Sequence, residues 1–321
     1  PRLSSRSSIL VLFTVASSEA ISLGDISIRD SRGHYHPGTT DAEYLPVRHL
    51  AQSVFLGHDW RKCIFAMYTG YFDASGDLTD VGFVVSGYVA TVEDWERFDG
   101  NWRIALAHDN VPYFHMKEFA HFKGPFEGWQ GQDSRRANFL GRLADIISET
   151  ARRGFSTAVT NQVFNEVNEE YCLEEHFGNP YAFCGLNCAV HTRRWLRNKK
   201  YEVPVKYIFE YGDQGWHHLE KSFERSHFPP PIRERKRSKT NPIGPTPLEA
   251  ADFAAWENLK ATRTAEFGNL LSMGHLRKSF ASLMNITDNE WGIYTHKHLV
   301  DLCKKLRIPL RKNLGDWGHS S

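Results

Sequence analysis

The sequence predicts an α/β protein with a mixed central sheet and flanking helices. Aromatic and β-branched runs alternate along the chain with segments whose apolar residues recur at helical spacing. The first two β-rich runs are joined by the short polar link "SGDLTD", which makes an antiparallel hairpin, whereas later runs are separated by helical stretches that suit crossover strands. With 321 residues and 41% hydrophobic content, the chain can build a sizeable core.

The elements follow in order. "YTGYFDASGD", residues 68–77, opens as an aromatic strand and ends on Asp73 just before a turn. "VGFVVSGYVA", 81–90, is its hairpin partner. "TVEDWERFDGNWRIAL" is a helix in which Thr91 can cap and Asp94 stands at the capping-box position. "VPYFHMKEF", 111–119, reads as a third strand or an extended segment, and "GPFEGWQGQDS" as a Gly-rich loop. A helix is predicted near 133–152, a strand at "GFSTAVTN", and a long helix from Pro180 to Asn198. "VPVKYIFEYGDQG", 203–215, is a further strand, with Val205, Tyr207, Phe209 and Tyr211 on one face and Lys206, Ile208 and Glu210 on the other. A Pro-rich, basic connector with room for a short strand precedes the helix "PLEAADFAAWENLKAT", and a last helix covers His296 to Leu306.

The formal net charge of +1 does not by itself declare a nucleic-acid binder. Five irregularly spaced cysteines suit a reducing, cytoplasmic compartment rather than a disulfide scaffold. No apolar run is long enough to span a bilayer, so no membrane partner is expected. Residues 1–60 are Ser-rich and polar apart from "ILVLFTVA", which faintly imitates a secretion signal. The first Met is Met67, and residues 1–60 are expected to be a poorly ordered or non-native extension, with the folded domain in 61–321. Cys184, Cys188 and His191 share a helix face, but they lack a clear fourth zinc ligand and read more readily as core. His115, His217 and His218 could assist proton transfer, although a lone histidine reads more readily as an ordinary surface or core group.

The informative residues are acids in unusual company. Asp73 ends the first strand, Glu210 lies within an apolar strand, and Asp213 follows it. In the late helix, Thr246, Pro247 and Glu249 form a capping signature. Asp252 falls within the apolar stripe of Leu248, Ala251, Ala255 and Leu259, where an acid needs a cation, hydrogen bonds or a proton. Clustered carboxylates repel unless something positive lies between them, and hard divalent cations serve that purpose. Each acid also has a plainer explanation. Asp73 suits an Asx-turn, and Asp252 suits a structural bridge to an Arg of the 233–239 run.

At these positions the sequence resembles the domain of unknown function 3800 family, over about Met67 to Leu259. The family's Asp-Glu-Ser-Gly is matched by Asp73-Ala74-Ser75-Gly76, with Ala74 in place of the second acid. Its central-strand acid is matched by Glu210, its late-helix Leu-Gln-Ala-Ala-Asp by Leu248-Glu249-Ala250-Ala251-Asp252, and its aromatic-His segment by Phe114-His115. The resemblance implies a ribonuclease H-like fold, with a five-stranded mixed sheet and acids clustered at one end.

The resulting expectation is a nuclease-like phosphodiester hydrolase using Mg²⁺ or Mn²⁺, in a two-metal site with ions about 3.5–4 Å apart. Asp73, Glu210 and Asp252 would be the catalytic metal ligands, Glu249 and Asp213 auxiliary ligands, and His115 and Lys239 helpers. Arg233, Arg235, Lys236 and Arg237 would hold nucleic-acid phosphates. The alternatives are a non-catalytic ribonuclease H-like binding module for nucleic acid or protein, and a metal-free hydrolase using two carboxylates.

Overall fold

The structure, a computed structural model, describes residues 67–77, 81–201, 203–212, 215–266, 279, 283 and 288–311. The expectation for residues 1–60 and the proposed ligand Asp213 lie outside the described residues.

A six-stranded mixed sheet organises the fold. Strands β1 (Tyr68–Ser75), β2 (Gly82–Thr91) and β3 (Arg153–Thr160) form an antiparallel meander. β4 (Val205–Glu210) runs parallel to β1, and β5 (Ile232–Glu234) runs parallel to β4. β6 (Asn289–Tyr294) runs parallel to β3, giving the order β5-β4-β1-β2-β3-β6. The hairpin start and the crossover strands are as the sequence predicts. β5 is the short strand for which the connector had room, and β6 makes the sheet six strands wide rather than five.

The helices are α1 (Val92–His108), α2 (Met116–Ala120), α3 (Asp133–Thr150), α4 (Asn161–Glu170), α5 (Leu173–Phe177), α6 (Pro180–Asn198), α7 (Trp216–Arg225), α8 (Pro247–Glu266) and α9 (His296–Leu306). Thr91 caps α1: its hydroxyl oxygen accepts from the Asp94 amide at 3.2 Å and donates to Asp94 Oδ2 at 2.7 Å. Asn179 caps α6 by accepting from the Ala182 amide, with Pro180 at the first helical position.

Strand alternation divides the core in two. Phe72, Val85, Phe155, Tyr207 and Phe209 point to one face, which α4, α5, α6, α7 and α9 cover. Tyr71, Tyr88, Ala90 and Ile208 point to the other, against α1, α2, α3 and α8. Both faces being buried explains why β1, β2 and β4 read as nearly continuous apolar runs. Helix α8 packs on β1 and β2 and is buried almost all round, from Leu248 to Leu259. An acid on this helix therefore meets protein rather than water.

Residues 111–119 are not a strand. They form an irregular segment followed by α2, and they lie over α8 instead of joining the sheet. Two of their amides donate to carboxylates of α8, Phe114 to Glu249 at 3.1 Å and Met116 to Asp252 at 2.5 Å. Those bonds replace the ladder bonds that a strand would have made.

The paired cysteines of α6 are core residues. Cys184 Sγ donates to the Phe83 carbonyl at 3.7 Å and Cys188 Sγ to the Val85 carbonyl at 3.3 Å. Burial pushes the Cys188 thiol up to about 12, so it stays protonated at neutral pH. His191 pairs with Glu290 of β6. His218, on α7, packs against Gly178.

Candidate functional site

The acids of the first and fourth strands come together through register. β1 and β4 are parallel with Phe72 opposite Phe209, so Asp73 and Glu210 each stand one step further along. Both share the face of Tyr71 and Ile208, which is the face that α8 covers. Asp252 projects from α8 toward the same point. Asp73 is 3% exposed, a level at which an ionised carboxylate needs a partner.

That partner is Lys236. Its Nζ donates to Asp73 Oδ2 at 2.6 Å and to Asp252 Oδ1 at 2.9 Å. Its backbone amide donates to Glu210 Oε2 at 2.8 Å. One residue thus binds all three acids, two through the ammonium and one through the main chain. The remaining oxygens of the two aspartates are also engaged: Asp73 Oδ1 accepts from the Ala74 amide at 2.7 Å, and Asp252 Oδ2 accepts from Met116.

The electrostatics follow. Burial would lower the Lys236 ammonium, but the carboxylates of Asp252, Asp73 and Glu210 outweigh it and hold the group well above the ordinary lysine range. Burial pushes the Asp73 carboxyl up, against Lys236, and the nearby Asp252 charge adds to the rise. Burial also opposes the Asp252 charge, yet Lys236, His115 and the Met116 amide together hold its carboxyl below the usual range. Two acids sharing one cation titrate as a unit.

His115 flanks the pair. Its Nε2 lies 3.7 Å from Asp252 Oδ1, and its Nδ1 lies 3.8 Å from Glu118 Oε1. It is half-buried at the N-terminal boundary of α2, beyond direct hydrogen-bond distance of either carboxylate.

Three of the expected site residues need correction. Glu249 is fully buried and committed elsewhere. It accepts from Trp102 Nε1 at 2.7 Å, from the Phe114 amide, and from Arg237 Nε at 2.7 Å and Nη2 at 3.3 Å. It is a structural anchor of α8 and not an auxiliary metal ligand. Thr246 Oγ1, at the start of the same helix, donates to Asp99 Oδ1 at 2.6 Å. Arg237 is buried in the same anchor and cannot reach a nucleic-acid backbone. Lys236 likewise faces inward, with a side chain 15% exposed. Arg235 and Lys239 are exposed on this loop, and Arg233, within β5, is half-buried. The Arg233 and Arg235 guanidinium carbons lie 4.2 and 4.1 Å from the ring centre of Tyr211, the residue after Glu210.

Comparison with known proteins gave no match to any family model, curated protein or solved structure.

The donor set bears directly on a metal. Among the described residues, no three His, Cys, Asp or Glu side chains are placed to hold one ion together. Two carboxylate oxygens, of Asp73 and Asp252, do converge on one cation, the Lys236 ammonium. One or two carboxylates, completed by water and substrate phosphate, are the usual protein share of a Mg²⁺ site. Here the position between the two carboxylates is taken by the Lys236 ammonium. The tyrosine–arginine surface and the inward turn of Lys236 were missed in the sequence. The only signal for them was the run Arg233, Arg235, Lys236, Arg237, which does not say which cations turn in.

Proposed function

We propose that this protein hydrolyses phosphodiester bonds of nucleic acid with the help of Mg²⁺ or Mn²⁺, on a ribonuclease H-like sheet. The observation that carries the proposal is the convergence of Asp73 and Asp252 on a single buried cation position, with Glu210 beside them at the ends of two parallel strands. The mixed sheet with its acids at one end supports the same reading, as does the resemblance of the Asp73, Glu210 and Asp252 motifs to the domain of unknown function 3800 family.

Bound there, a divalent ion would supply an activated water and would stabilise the leaving oxygen. The protein's own groups do the rest. Asp73 and Asp252 would hold the ion, and Glu210 fixes the loop that borders them through the Lys236 amide. His115 stands beside Asp252, at 3.7 Å. Arg233, Arg235 and Lys239 offer charge to phosphates, and Tyr211 offers an exposed ring.

A second reading is a binding module without catalysis. It is favoured by the Lys236 ammonium, which already neutralises part of the acidic pair, and by Ala74, which removes a further acid. One experiment separates the two. Single- and double-stranded DNA and RNA are incubated with the protein and Mn²⁺, with Asp73→Asn as control. Cleavage that disappears in the variant supports the hydrolase. Retention of nucleic acid without cleavage, equal in both proteins, supports the module.

A further inference from the structure

We infer that Trp216, Arg233, Tyr211 and Arg235 form a stacking track for a single strand of nucleic acid, which takes unpaired bases on its flat groups and phosphates on its guanidinium edges. The inference deepens the nucleic-acid reading above and rests on it.

The row is set by the backbone. Tyr211 directly follows β4, and its amide donates to the Glu234 carbonyl of β5 at 2.7 Å, which brings its ring beside the arginines that flank Glu234. The guanidinium carbon of Arg233 lies 4.2 Å from the ring centre of Tyr211 and 5.1 Å from that of Trp216. That of Arg235 lies 4.1 Å from Tyr211. Trp216, Arg233, Tyr211 and Arg235 therefore follow one another in contact. Trp216 is the first residue of α7, placed there by Gly215. At the other end, Asn241 Nδ2 donates to the Arg235 carbonyl at 3.0 Å.

Two features mark the row as a ligand surface rather than as packing. The first is charge. Arg152 and Arg237 each meet a carboxylate, of Asp94 and Glu249. Neither Arg233 nor Arg235 has a carboxylate or a hydrogen-bond acceptor among the described residues, and Arg233 Nε is buried without a partner. Two like charges held on one ring repel until an anion lies between them. The second is exposure. Tyr211 is 44% exposed and Arg235 is exposed, so the outer end of the row is open. An aromatic ring and a guanidinium plane both stack on any base whose face is free. In a duplex the bases are already stacked on one another and phosphates are what the row would meet. Point charges serve for phosphates alone, and planar groups add nothing there. Tyr211 directly follows Glu210 and Arg235 directly precedes Lys236, so a strand lying on the row passes the acidic pair.

The test measures binding apart from cleavage. Fluorescence anisotropy follows labelled oligothymidylate, labelled oligouridylate and a duplex of equal length with the full chain in EDTA. The wild type is expected to bind one or both single strands about tenfold tighter than the duplex, or more. Tyr211→Ala removes an exposed ring, and Arg235→Lys keeps the charge but loses the planar fork. Each should weaken strand binding by about tenfold with Tm unchanged. A duplex bound as tightly as the strands overturns the inference. So does an Arg235→Lys variant with wild-type affinity, since charge alone would then suffice, and so does binding of none of the three probes. Cleavage with Mn²⁺ is read separately on the same oligonucleotides. Strand-selective binding without cleavage leaves the track standing and removes the hydrolase. Cleavage without strand selectivity removes the track and leaves the hydrolase.

Discussion

Asp252 and Glu249 stand three residues apart on one helix, both buried, and the structure gives them different duties. Glu249 neutralises Arg237 completely inside the core. Replacing it with Gln leaves a buried guanidinium without its counter-charge, and a loss of about 3–5 kcal/mol is expected. Asp252 shares Lys236 with Asp73, so Asp252→Asn leaves the ammonium one partner. The expected loss is smaller, about 1.5–3 kcal/mol, the worth of hydrogen bonds to charged groups. Metal-dependent cleavage should fall by about 10²-fold or more. Urea unfolding of both variants checks the order, and a costlier Asp252→Asn would refute this division of roles. The pH dependence carries a sign of its own. Lys236 has its folded pKa raised above the unfolded value, so its contribution is complete below about pH 10.4 and is lost as pH rises through the folded value. Asp252 is depressed, so its contribution is present above about pH 3.9 and is lost as pH falls through the folded value. Asp73 is raised and works against Asp252 on the acid side. Unfolding free energy should therefore show its clearest dependence on this group on the alkaline side. That alkaline loss should be missing from Lys236→Met.

At the scale of the element, the loop from Arg235 to Thr246 determines where the lysine points. Gly244→Ala places a methyl group against its backbone and should cost about 1–3 kcal/mol as the strands of the loop move apart. The same variant should raise the acetylation rate of Lys236, because the seat is displaced. A stable protein with an unchanged rate would show that the close approach is incidental. The elements also show what a sequence can reveal. Helix α6 was legible at both ends because Asn179 and Pro180 mark its start and its apolar residues continue to Leu196. Helix α9 was legible for a similar reason, with Thr295 at its cap. β6 was not, because each of its residues is only half-buried and Gly292 interrupts the run. Helix α7 was passed over because it begins straight after the strand-ending turn, with Gly215 in the left-handed region at φ 96° as its N-cap. The segment "VPYFHMKEF" has the alternation of a strand, but pairing depends on a free sheet edge, which no local pattern encodes. In the site, Asp73, Glu210 and Asp252 were legible as acids where water is scarce. Lys236 was not, since a basic run looks the same whether its members face solvent or a carboxylate.

For the whole molecule, the sheet is a partition between two aromatic cores, and the acidic site sits at its end rather than within either core. Ion binding should therefore stabilise the native state without rearranging it. At a Mn²⁺ concentration 100 times the dissociation constant, mass action adds about 2.7 kcal/mol. In a chain of this size that raises Tm by roughly 4 °C. Differential scanning calorimetry over a Mn²⁺ series checks this, and an unchanged Tm would deny the native state any preference for the ion. No helix among the described residues is long and apolar enough to cross a membrane.

The terminal strand β5 has a consequence beyond the site it borders. A sheet edge is a template on which a second chain can add a strand, and from there aggregates grow. Here that edge is three residues long. It is preceded by Pro229, Pro230 and Pro231, which have no amide hydrogen to donate. Arg233 lies within it and Arg235 just after, so an approaching strand meets positive charge as well. These two arginines thus guard the sheet against self-association. A variant that neutralises them to probe ligand binding would also remove a barrier to precipitation.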